Sequence, residues 1–325
     1  MNDAADSRHD HGGHDHAISA DADRRYLTLA LALLLGFMAV EVVVGILASS
    51  LALISDAGHM FTDAAAVGLS LWTIRAAARP PAGDMTFGLR RLEVLSAQIN
   101  GITLVAVAGW FLFESVQRLI APPQVDALMV TVTALVGIPV NLAAVWAVSR
   151  ANRRSLNVEG SFQHLLTDLY AFIATAIAGG LILATGWNRL DAVAAIIVAG
   201  LMLRAGIPLL AYSTRIMLQA APRNVRADDI GQAMAGTDGV VEVHDIHVWE
   251  LTPTEPMFSA HVLVRPGVDC HDKRTDLEAL LAEQFAIAHT TLQMDHAHRD
   301  ELVGLVGPGC THTPADGNCC QPPHN

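Results

Sequence analysis

Ser55-Asp56-Ala57-Gly58-His59-Met60-Phe61-Thr62-Asp63-Ala64 lies inside a long apolar run, yet it carries His59 and Asp63. Their spacing is i, i+4, so on a helix both side chains leave one face, one turn apart. Ionisable groups inside a membrane span are costly and mark function by default. The pattern recurs in His164-Leu165-Leu166-Thr167-Asp168, again within an apolar run. Two His/Asp pairs on two membrane helices would supply the four ligands of an N2O2 metal site.

The surrounding sequence is that of a membrane protein. Of the 325 residues 52% are hydrophobic, which does not by itself separate a membrane chain from a globular one. The arrangement does, because up to Tyr212 the apolar residues fall in runs long enough to cross a bilayer. Six spans are expected: Tyr26–Ala48, Leu51–Ile74, Val94–Ile120, Ala127–Val148, Phe162–Thr185 and Leu190–Tyr212. Arg24, Arg25, Arg75, Arg79, Arg90, Arg91, Arg150, Arg153, Arg154, Arg215, Arg223 and Arg226 fall in one set of loops, against Arg118 and Arg189 in the other. Positive-inside then puts both termini in the cytosol, as an even number of spans also requires.

Residues 1–25 are polar and acidic and read as a disordered tail whose His9, His11, His14 and His16 capture metal weakly. No short apolar segment suggests a cleaved signal peptide. The net charge of −12 argues against nucleic acid as a partner. Cys270 stands apart from Cys310, Cys319 and Cys320, so the cysteines do not form a disulfide framework.

From 213 to 306 the pattern changes to a small soluble α+β domain. Val240–Trp249 alternates with period two and reads as a half-buried strand, and Met257–Val264 as a second. Leu277, Leu280, Leu281 and Phe285 mark an amphipathic helix over Asp272–Ala288, and Thr290–Met294 reads as a third strand. With a short helix over Arg226–Ala235 the order is helix, strand, strand, helix, strand, a ferredoxin-like arrangement. Residues 307–325 read as a disordered Cys/His tail.

Depth decides whether the pairs can meet. Asp63 lies roughly 20 Å in from the outer end of its span, and Asp168 roughly 18 Å in from the cytosolic end of a helix starting near Leu156. Two imidazoles and two carboxylates suit zinc, and the carboxylates cancel the charge of a dication in a low-dielectric setting. Empty, such a set favours protons, which metal binding expels, and a site that exchanges metal for protons is the core of an antiporter. A buried hydrogen-bonded couple explains one pair but not two at matched depth. A metalloenzyme would need an open metal position, which four protein ligands do not leave. A metal-sensing membrane receptor with a structural site is the rival from another class. Among the other polar span residues, Glu41 reads as a proton relay or helix partner, and Asn100 and Asn141 as interhelical hydrogen-bonders. Glu114 and Arg204 read as reaching an interface or pairing, and Asp84 as a solvated loop residue.

Leu51–Asp63, Phe87-Gly-Leu-Arg-Arg-Leu-Glu-Val-Leu95, His164-x-x-x-Asp168 and Val243-His-Asp-Ile-His-Val-Trp249 together resemble the cation diffusion facilitator family of metal/proton antiporters over residues 26–300. The resemblance implies a six-helix membrane domain at 26–212, a cytosolic ferredoxin-like domain and a homodimer. It carries the transport site onto His59, Asp63, His164 and Asp168, and their His-Asp/His-Asp pattern resembles the zinc and cadmium branch. It further implies a cytosolic zinc site at His244 and His261, with Asp295 as a third ligand; Gln293 stands where some relatives carry His. His271 is a weaker candidate, and His247 is expected only to sit on its strand. The expected function is export of zinc, with cadmium or other divalent transition metals as further cargo, across a bacterial inner membrane in exchange for protons, without an organic cofactor.

Overall fold

A computed structural model describes residues 16–47, 51–122 and 126–297. They form eight helices and three strands: α1 His16–Leu47, α2 Leu51–Ala77, α3 Arg91–Ile120, α4 Ala127–Ser149, α5 Leu156–Thr185, α6 Arg189–Met217, α7 Ala227–Ala235, β1 Val240–Thr252, β2 Glu255–Val264, α8 Cys270–Phe285 and β3 His289–His296. Two compact units result. One holds α1–α6 and Trp249–Glu255, and the other holds the remaining C-terminal elements.

The membrane helices overrun the apolar stretches that announce them. Apolar length sets what a bilayer can cover, whereas helix ends are set by caps and propensity. Thus α1 begins at His16 rather than near Tyr26, through Ala- and Arg-bearing sequence with good helix propensity. The expected tail is therefore helical from His16; residues 1–15, with His9, His11 and His14, lie outside the described residues, as do Cys310, Cys319 and Cys320. α6 likewise continues past Tyr212 to Met217. α4 starts where Asp126 accepts a hydrogen bond from Met129 N (3.1 Å), an N-cap. α5 stops at Gly186, whose φ of 73° is the left-handed C-cap conformation. Among the described residues, five segments are long and apolar enough to cross a membrane: Arg24–Val43, Arg91–Ile120, Ala127–Ser149, Leu156–Thr185 and Arg189–Met217. The 27-residue α2 packs among them as the sixth long helix of this unit.

Burial divides these helices into two packed groups. Leu27 and Leu34 of α1, Met60, Val67 and Leu71 of α2, Ala144 and Val148 of α4, and Val158, Leu165 and Leu169 of α5 form one apolar cluster. α3 and α6 pack on each other through Leu104, Ala108, Val198, Ala199 and Met202, with Ala171 and Ala174 of α5 against the same cluster. Their approach is close: a Cβ at Gly101 would lie 3.1 Å from the Leu210 backbone nitrogen, and one at Gly206 would lie 3.0 Å from Leu104 Cβ. Small residues at such a crossing let helix backbones approach in lipid, where burial of apolar surface adds little. Large apolar side chains such as Trp110, Phe113, Leu135, Ile177 and Ile197 face outward.

The second unit is α+β. Its strands are ordered β1-β2-β3. The two-residue link between β1 and β2 allows only an antiparallel pair. β2 and β3 are parallel, with Met257 opposite His289 and Val264 opposite His296, and α8 is the crossover. Ile230 and Met234 of α7, Phe258 and Val262 of β2, Leu277 and Leu281 of α8, and Ile287 fill the core. Asp269 caps α8, accepting from His271 N (2.8 Å) and Asp272 N (3.2 Å).

Candidate metal centre

Asp63 is carried by α2 and the His164/Asp168 pair by α5, and the fold brings these three side chains together. His164 Nε2 lies 3.1 Å from Asp63 Oδ1, a contact between residues 101 positions apart in the chain. It lies 3.8 Å from Asp168 Oδ2, one turn along the same helix. Ligand atoms of Asp63, His164 and Asp168 all fall within 4.8 Å of one another. Two ligands of one tetrahedral zinc, at bonds of about 2.0–2.2 Å, are separated by about 3.4 Å, so these spacings suit a shared ion. Asp63 and His164 are buried, and Asp168 is half-buried. His164 Nδ1 and Asp168 Oδ2 have no hydrogen-bond partner among the described residues. Buried polar atoms are normally satisfied, so a set with two open atoms is suited to a further bonding partner. His59 lies on α2, one turn before Asp63; its side chain falls outside the described residues.

Below the acidic pair the α2/α5 seam stays polar. Ser70 Oγ and Ser161 Oγ are 2.5 Å apart, and Asn157 Nδ2 donates to the Ser70 carbonyl (2.9 Å). Ser70, Asn157 and Ser161 are fully buried. Neither serine nor Asn157 stands out in the sequence. Small hydroxyl residues are common in membrane helices, and Asn157 precedes the apolar run of its span. Only the repeat of Asp63–Ser70 on one helix face by Asn157–His164 on the other signals them.

The other intramembrane polar residues divide. Asn141 Nδ2 donates to Gly137 O (3.2 Å) within its own helix, so this bond is not the expected interhelical one. Asn100 is buried against α5, where a Cβ at Gly160 would lie 3.3 Å from Asn100 Nδ2, but that nitrogen has no hydrogen-bond partner among the described residues. Glu114 pairs with Arg118 (3.1 Å), which also reaches Asp191 of α6 (3.1 Å). Arg204 is exposed.

In the second unit, the rings of His244 on β1 and His261 on β2 lie side by side, centroids 5.3 Å apart. His261 pairs in register with Gln293, and Asp295 stands two residues further along the same β3 face, accepting from Gln293 Nε2 (3.0 Å). Asp245 is the residue that sequence reasoning missed. Its backbone is in the left-handed region, φ 52°, and its carboxylate lies 3.0 Å from His247 Nε2 and 3.8 Å from His261 Nε2. His247, expected only to occupy its strand, thus joins the polar group around His261.

Residues 27–218 match the model of the cation efflux transmembrane domain, and 222–297 match that of the cation efflux protein cytoplasmic domain. The chain belongs to the cation efflux family, the cation diffusion facilitators. Cation efflux proteins similar to it include a cadmium, cobalt and zinc/H(+)-K(+) antiporter of Bacillus subtilis, 31% identical over 91% of this chain and 96% of that protein. The metal cation efflux system protein CzcD of Cupriavidus metallidurans is 35% identical, over 87% of this chain and 89% of its own length. The zinc transporter ZitB of Escherichia coli is 34% identical, over 89% and 92%. This cation efflux chain is thus an integral, multi-pass membrane protein of a transporter family.

Proposed function

We propose that this protein exports zinc from the cytosol in exchange for protons, with cadmium and cobalt as further cargo, and that His59, Asp63, His164 and Asp168 carry the ion. The convergence of Asp63, His164 and Asp168 across α2 and α5 carries the proposal. Two imidazoles and two carboxylates hold a dication without net charge, and protons replace it when it leaves. The relatives, a zinc transporter and a cadmium, cobalt and zinc/H(+)-K(+) antiporter among them, favour transport over a sensing receptor with a structural site. Residues 26–212 form the transport domain, residues 213–306 form a cytosolic domain that joins two copies, and the N-terminal histidines capture metal weakly. Both termini face the cytosol of a bacterial inner membrane, on the evidence of the arginine distribution. His244, His261 and Asp295 hold a regulatory zinc in the cytosolic domain.

The test is flux in vesicles with an imposed pH gradient. Zinc uptake is expected to follow the gradient, and Asp63→Ala is expected to abolish it. Zinc flux indifferent to the gradient, or full flux in Asp63→Ala, would sink the antiport reading.

A further inference from the structure

We propose that Asn157 is a positioning residue for the intramembrane metal centre: it locks the register of α2 against α5, so that Asp63 meets His164. This rests on the function proposed above and adds residues that lie outside the ligand set. Ser70 follows Asp63 by seven residues on α2, and Asn157 precedes His164 by seven on α5. Both helices were expected to run in opposite directions, and the contacts agree: Asp63 meets His164, and Ser70 meets Asn157. The two contacts therefore obey one antiparallel register, two helical turns apart. A seven-residue step returns to nearly the same face of a helix, so both contacts lie on a single seam. A one-turn slip of either helix would break both at once.

The chemistry of the lower contact suits a lock. Asn157 Nδ2 donates to the main-chain carbonyl of Ser70 (2.9 Å), which also accepts from Thr73 Oγ1 (2.9 Å). A carbonyl belongs to the helix backbone, so its position reports helix register and not side-chain rotamer. The Ser70–Ser161 hydroxyl contact of 2.5 Å adds a second bond at the same level. Gly160 holds α5 from the other side, since a Cβ there would lie 3.3 Å from Asn100 Nδ2 of α3 and 3.4 Å from Leu209 Cδ2 of α6. α5 is thus gripped one to two turns from His164, and the grip transmits to the ligand through rigid helix. The Asp63–His164 contact alone would not do this, because both of its members must move with the ion.

The geometry separates the variants. Asn157→Ala removes the bond to the carbonyl. Ser70→Ala leaves that carbonyl in place and removes only the hydroxyl contact, whereas Ser161→Ala removes that contact together with the bond from Ser161 Oγ to the Asn157 carbonyl (3.3 Å). All variants are made in a His244→Ala/His261→Ala background, which removes the cytosolic site; zinc affinity of the purified full chain is read by competition with a chromophoric chelator, and ligand geometry by the visible spectrum of bound cobalt. Asn157→Ala is expected to weaken zinc at least tenfold and to alter the cobalt spectrum. Ser70→Ala and Ser161→Ala are expected to weaken it a few-fold each, and the double variant no more than Ser161→Ala alone. Wild-type affinity and spectrum in a folded Asn157→Ala protein would overturn the proposal. If that variant does not fold, the serine pair decides: unchanged affinity in the double variant, or additive losses, would overturn it. Asp63→Ala is measured alongside. Zinc binding retained there, with the cytosolic site removed, would fail the transport-site reading itself, whereas its loss with intact Asn157→Ala affinity fails only the register lock.

Discussion

Asp269 shows how a single polar side chain holds an element of the cytosolic unit. Backbone N–H groups of Asp272 and His271, in that order, hold its carboxyl below the usual carboxylate range. A folded-state pKa that is depressed contributes stability above the unfolded value of about 3.9, and that contribution is lost as pH falls through the folded value. Hydrogen exchange in the first turn of α8 is therefore expected to speed up in Asp269→Ala at neutral pH. The difference between variant and wild type should shrink below about pH 4, where the wild-type carboxyl begins to protonate. Equal exchange at pH 7 would remove the cap from the account. At the same scale, the histidine and aspartate identities of the metal centre were legible as residue types in forbidden surroundings. Asp245 was not, because its reach to His261 depends on a left-handed backbone that nothing in Val243–Trp249 signals.

At the scale of elements, glycine sets how closely α3 and α6 pack. A side chain at Gly101 meets backbone, the Leu210 nitrogen at 3.1 Å, and backbone cannot rotate away. Gly101→Val is expected to force the two helices apart and lower stability by about 1–3 kcal/mol, as overpacking does. Its readout is the thermal transition of the purified protein followed by tryptophan fluorescence. An unchanged transition would mean that α3 and α6 can separate without cost. Helix existence was plain from apolar length, whereas helix ends were not. Caps such as Asp126 and Gly186, and the helix propensity of the residues around Arg24, extend or stop a helix independently of the bilayer.

For the whole molecule, the expectation is a division of labour. The His244→Ala/His261→Ala double variant should bind less zinc per chain, yet keep the pH-driven flux of the wild type at saturating zinc, within about twofold. Equilibrium dialysis and vesicle flux on the same preparation check it. Loss of flux together with the lost zinc would make these residues part of the transport path instead. Light scattering of the full chain should give twice the chain mass if the proposed homodimer forms.

The amino-acid sequence alone determined the six membrane helices, the α+β order of the C-terminal unit, and the pairing of His with Asp at i, i+4 on two spans. These follow from local rules: apolar length, period, and the cost of charge in lipid. Only the tertiary structure decided that α2 and α5 touch, and in which register. That choice is made by packing between residues about a hundred positions apart, His164 against Asp63 and Asn157 against Ser70. No helical period encodes it, because periodicity describes one helix at a time and register belongs to two.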